Sequence, residues 1–87
     1  MWTLSYVKEQ IGIKQIQIQD KDAFIREADY DRDLSECVAK RHALDIQLVK
    51  LEVIYLEMQK CEAMTDMELL IAQKKSVYNL IREYKGE

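Results

Sequence analysis

With 87 residues, 33% charged and 48% hydrophobic, no proline and only two glycines, the chain is bounded to one small helix-rich domain and is too apolar to be disordered. A net charge of −3 argues against a dedicated phosphate-backbone binder. The longest wholly apolar runs, Val53 to Leu56 and Leu69 to Ala72, fall far short of the roughly 20 residues that span a bilayer.

The first third carries two patterns. Leu4, Ile11, Ile18 and Ile25 repeat every seventh residue, with Val7 and Ala28 in support, which predicts a helix over about 3–31 capped by Thr3 or Ser5. Trp2, Tyr6, Ile13 and Phe24 fall on the opposite side of the same wheel. Either this helix lies between two neighbours or it breaks within about 12–22, near Gly12. Ile16-Gln17-Ile18-Gln19 also alternates with the period of a strand, so residues 11–19 have a second reading as a strand paired across a dimer. Lys8 and Glu9 interrupt the opening before an apolar core forms, so no signal peptide is expected.

Residues 20–33 hold six acids against Lys21, Arg26 and Arg32, which accounts for the whole net charge. The acids Asp29, Asp31 and Asp33 suit the positive end of a following helix. Asp33, or Ser35 as its rival, is the expected cap of a second helix over about 34–62. The alternative is a helix unbroken through this stretch, because Tyr30 and Cys37 keep the seven-residue register.

The central segment carries the strongest signal. Leu44, Leu51 and Met58 recur every seventh residue, Leu48 and Tyr55 follow the first two by four, and neither Gly nor Pro occurs between Asp33 and Ala63. Leu44, Leu48, Leu51, Ile54, Tyr55 and Met58 form the expected interaction seam. Ile46, Val49, Val53 and Leu56 add apolar groups around most of the remaining circumference. The chain's own outer helices can cover one end of such a rod, whereas a second protomer or another protein is expected to cover the rest.

Thr65-Asp66-Met67-Glu68 fits a capping box, with Met64 and Leu69 placed as a hydrophobic staple. A third helix over about 66–85 follows, with Met67, Leu70, Ile71, Val77, Tyr78 and Ile81 on one face and Lys74 as the polar interruption. The short connection implies an antiparallel hairpin with the central helix. Lys85-Gly86-Glu87 reads as its end.

Chemical motifs fare poorly. Asp29, Asp31 and Asp33 have the opening spacing of a calcium loop, but Leu34 stands where a turn glycine is required and Lys40 where a bidentate glutamate is required. The single histidine, His42, has no Cys at zinc-site spacing. It also diverges from Cys37 by about 140° around a helix, which rules out nucleophile–base pairing. Cys37 and Cys61 lie roughly 36 Å apart along one helix, so both are expected as buried free thiols in a reducing compartment. No glycine-rich phosphate loop occurs. Arg41 and Lys74 sit at seam positions, where register-setting or reaching to solvent is the ordinary role of a cation. Lys75, Arg82 and Lys85, with Tyr78, make a modest basic ridge that could contact phosphates. A strand at 13–19 would give an order that resembles ribbon-helix-helix repressors, although the helices are too long for them.

The fold expected is all-α: an elongated three-helix chain in one domain, assembled into an intermolecular bundle. The function expected is a non-catalytic, cytoplasmic protein–protein interaction or oligomerisation module, a scaffold, adaptor or regulator without metal or cofactor. It would act as a homodimer or higher homo-oligomer and with a second protein, by analogy with small bacterial or phage accessory proteins. A small nucleic-acid-binding regulator is the alternative, and a helical-bundle enzyme around Arg41 and Lys74 comes third.

Overall fold

The computed structural model describes residues 2–29 and 32–86, and within them the chain is an elongated all-α molecule of three helices. They are α1 (Leu4–Glu27), α2 (Ser35–Ala63) and α3 (Met67–Lys85). The principal extents are 59 × 22 × 14 Å. The radius of gyration of 16.8 Å exceeds the roughly 12 Å of a compact chain of this length. Length follows from α2, whose 29 residues span about 44 Å at helical rise.

Helix α1 runs without a break through Gly12, and residues 13–19 are helical, not a strand. The heptad ladder decides this. Val7 and Ile18 are buried, Leu4, Ile11 and Ile25 half-buried, on the side turned to α2. A lone strand would leave its backbone groups without partners, a far larger cost than the ~1 kcal/mol a helical glycine forfeits. Thr3 caps the start, its Oγ1 accepting the Tyr6 amide at 3.1 Å. The helix ends at Glu27, four residues before the expected 31, with Ala28 already extended and its amide bonded to the Ile25 carbonyl. Glu27 and Asp29 oppose the negative end of the dipole, and Asp is a poor helix former. The unbroken-helix alternative fails here, although Tyr30 and Asp31 themselves lie outside the described residues.

Helix α2 starts at Ser35, and the residue at its N-cap position is Leu34, which has no side-chain bond to offer. Asp33 serves from one position further out: its Oδ1 accepts the Ser35 amide at 2.9 Å and the Ser35 hydroxyl at 2.7 Å. At α3 the cap lies one residue later than expected. No capping box forms, because the third helical position is then Leu69, which has no acceptor to reach back. Asp66, not Thr65, is the cap, its Oδ1 accepting the Leu69 amide at 3.1 Å. A carboxylate adds charge–dipole attraction to the hydrogen bond, so Asp66 outcompetes the neutral hydroxyl beside it. Gly86 closes α3 in the left-handed region with φ 80°, where a side chain would be strained.

Both α1 and α3 pack on α2. The core cluster joins Val7 of α1, Ile54 and Met58 of α2, and Val77 and Ile81 of α3, with Trp2, Tyr55 and Tyr84 against it. Gln73 of α3 reaches α2, its Nε2 donating to the Glu57 carbonyl at 3.0 Å and to Glu57 Oε2 at 2.6 Å. Three helices therefore meet at one end of the molecule. Towards the α1–α2 connection only two lie side by side.

Candidate interaction faces

Of the expected seam, Leu51, Ile54 and Met58 are buried by the chain's own α1 and α3, while Leu44, Leu48 and Tyr55 are half-buried. The apolar groups left outward on α2 form a different stripe. Ile46, Val49, Val53 and Leu56 recur at spacings of three, four and three, turned away from Leu51 and Met58, and remain 41% to 57% exposed. Val38 extends the same side towards the start of the helix. The sequence pattern contains both stripes; only packing tells which one the chain covers itself.

The other helices repeat the arrangement. On α1, Tyr6, Ile13, Ile16 and Phe24 lie 39% to 59% exposed, on the face opposite the heptad ladder. On α3 the predicted apolar face splits. Val77 and Ile81 are buried and Leu70 half-buried, whereas Met67, Ile71 and Tyr78 are 56% to 67% exposed. The split follows from geometry: six positions spread over more than 100° of circumference, while one flanking helix covers a narrower sector. Lys74 is exposed and borders a recess lined also by Trp2, Met58 and Val77.

Charges surround these faces. Arg41 does not point into a pocket; its Nε donates to Asp22 Oδ1 at 2.9 Å, tying the first half of α2 to α1. That hydrogen bond holds the Asp22 carboxyl below its usual range and raises Arg41 above its own. Glu57 is likewise held low, first by the hydrogen bond from Lys60 at 2.8 Å and then by that from Gln73. Tyr84 is pushed up by burial, with Tyr6 adding a smaller electrostatic effect. Its ring meets Trp2 edge-on at 5.8 Å, and Lys85 sits over the Trp2 ring at 5.6 Å. Lys75, Arg82 and Lys85, the expected phosphate ridge, are all exposed, with Tyr78 beside them.

The remaining candidates are dispersed. Cys37 and Cys61 are free and half-buried instead of buried, and His42 is exposed. Among the described residues no group of three His, Cys, Asp or Glu side chains could hold a metal ion; Asp31 of the calcium-like spacing lies outside them. No described helix is long and apolar enough to cross a membrane. An open groove lies between α1 and α2, lined by Lys14, Lys21, Lys40 and Leu44 among others. No family model matches the chain, and searches of curated proteins and of solved structures give no match either.

Proposed function

We propose that this chain is a non-catalytic protein–protein interaction module that associates, with copies of itself or with a second protein, through the outward faces of its helices. The observation that carries this reading is the exposed stripe Ile46, Val49, Val53 and Leu56 on the longest helix. Four aliphatic side chains in heptad spacing, opposite a stripe that is already covered, match what a further helix requires. In this reading α2 and α3 form an antiparallel hairpin, supported by the Gln73–Glu57 bonds and the short Met64–Asp66 link. A cytoplasmic setting accords with two unpaired thiols.

One observation favours a second reading. Lys74, Lys75 and Arg82 are exposed and enter no ion pair among the described residues, which leaves them open to phosphates. A nucleic-acid complex would form only when nucleic acid is added and would weaken steeply with salt.

The deciding experiment is sedimentation of the full chain over a wide concentration range. Mass should rise above 10.3 kDa as concentration increases. Val49→Asp with Leu56→Asp should lower that mass while keeping the helical circular-dichroism signal. Leu51→Asp, which buries a charge inside the chain, should instead abolish the signal, at a cost of about 4 kcal/mol or more. A wild-type chain that stays at monomer mass at every concentration, with no partner-dependent shift, would sink the reading.

A further inference from the structure

The outward faces of α1 and α3 differ in charge, and the difference is systematic. Along α1, Glu9, Asp20 and Glu27 are interleaved at helical spacing with Ile13, Ile16 and Phe24, all exposed. The cations of this helix lie to either side of that stripe: Lys14 and Lys21 line the groove shared with α2, which Asp20 also borders, and Lys8 and Arg26 fall on the other flank. Along α3 the order Met67, Ile71, Lys74, Tyr78, Arg82, Lys85 steps by three or four residues, all exposed, with Lys75 alongside and no acid within the stripe. One face is apolar and acidic; the other is apolar and basic.

We infer that the occupant of the α1 outer face is α3 of a second copy of this chain. The inference rests on the interaction-module reading and names its surface and partner. Matching is threefold. Both faces carry exposed aliphatic groups, both run at the three-and-four spacing that two packed helices share, and their charges are opposite. A cation already sits on the acidic face within one chain: the Arg32 guanidinium lies 5.3 Å from the centre of the Phe24 ring. Self-pairing of either face would set like charges against each other, acid on acid along α1 or cation on cation along α3, which disfavours it. A contact between different faces leaves an unused α1 face on one copy and an unused α3 face on the other. Growth then continues past the dimer unless the geometry closes a ring. One helix-on-helix contact is small, so each step is weak and depends on charge.

Sedimentation of the full chain at low salt, up to about 1 mM protein, where even a weak contact is half-occupied, tests this. Wild type should gain mass continuously with concentration. About 1 M salt, where the screening length falls to about 3 Å, should return most of it to monomer. Two charge-reversed chains follow. Lys75→Glu with Arg82→Glu and Lys85→Glu makes both faces acidic; Asp20→Lys with Glu27→Lys makes both basic. Each alone should show a lower mass than wild type at the same concentration, with an unchanged circular-dichroism spectrum. Mixed in equal amounts they should assemble again, a recovery that misfolding cannot produce. If wild type assembles but neither reversal lowers its mass, the contact lies elsewhere, such as the α2 stripe; the inference then fails while the interaction reading stands. If wild type stays monomeric throughout, the inference fails, and the interaction reading then rests on a partner-dependent shift alone.

Discussion

Gly12 sits inside α1 with helical geometry and nothing within 4 Å of where a Cβ would stand. Its sequence context suggests a break, and single glycines in helical patterns justify that suspicion because they cost about 1 kcal/mol relative to alanine. What overrides it is the ladder on either side, Val7 and Ile11 before, Ile18 and Ile25 after, all committed to one partner helix. Gly12→Ala should therefore stabilise the chain by roughly 0.5–1 kcal/mol, through a less flexible unfolded state and a better helix former. An equilibrium urea titration reads this as a higher midpoint at unchanged slope. A lower midpoint would mean that the backbone at Gly12 departs from helix. The caps teach a related lesson. Gly86 is legible because it stands alone at its boundary, whereas Thr3 has Ser5 as a rival and Thr65 has Asp66, and spacing alone cannot rank one hydroxyl against another or against a carboxylate.

Between elements, the polar ties are few and each has a named carboxylate. Asp22 joins α1 to α2 through Arg41, and Glu57 joins α2 to α3 through Gln73. Neither tie is visible in a sequence pattern, because the partners lie 19 and 16 residues apart. Arg41 illustrates the difficulty: its place on the heptad ladder is read correctly from spacing, but the acid it meets depends on how α1 is registered against α2. Both carboxyls are held below their ordinary values in the folded chain, Asp22 by the Arg41 hydrogen bond and Glu57 by the Lys60 one. The folded state therefore binds protons less readily than the unfolded one. The stabilisation is present above the unfolded carboxylate value, about 4, and is lost as pH falls through the folded values below it. Thermal midpoints should accordingly drop between about pH 5 and pH 2, and the Asp22→Asn, Glu57→Gln double variant should show a shallower drop over that window. An identical slope in the variant would mean that these contacts do not persist in solution. Arg41, raised above its ordinary value, stays charged throughout, so the carboxylates set the direction.

At the scale of the whole molecule, what the sequence makes plain is length and helix count; what it leaves open is which stripe of each helix is covered. Apolar residues around most of α2 are compatible with burial inside the chain or against a neighbour, and three-dimensional packing makes the division. One consequence is an uneven distribution of stability. At the three-helix end, Val7, Ile54, Met58, Val77 and Ile81 form a cluster that draws on all three elements. In the two-helix arm, running from the middle of α1 to Glu27 and back through the first half of α2, Ile18 is buried while Ile16, Phe24, Val38 and Ile46 are exposed. Burial of apolar surface is what offsets the entropy of ordering the chain, so the arm should open at lower free energy than the cluster end. Hydrogen exchange in dilute protein should show this as faster exchange over residues 17–27 and 35–46 than over 51–61 and 73–82, by about tenfold or more per 1.4 kcal/mol of difference in opening free energy. Raising the protein concentration at low salt should then slow exchange along α1 and α3, the helices whose outer faces are proposed to meet. Uniform protection along α1 and α2 at high dilution would contradict the uneven core, because two helices with half their apolar groups in water have no other source of resistance to opening.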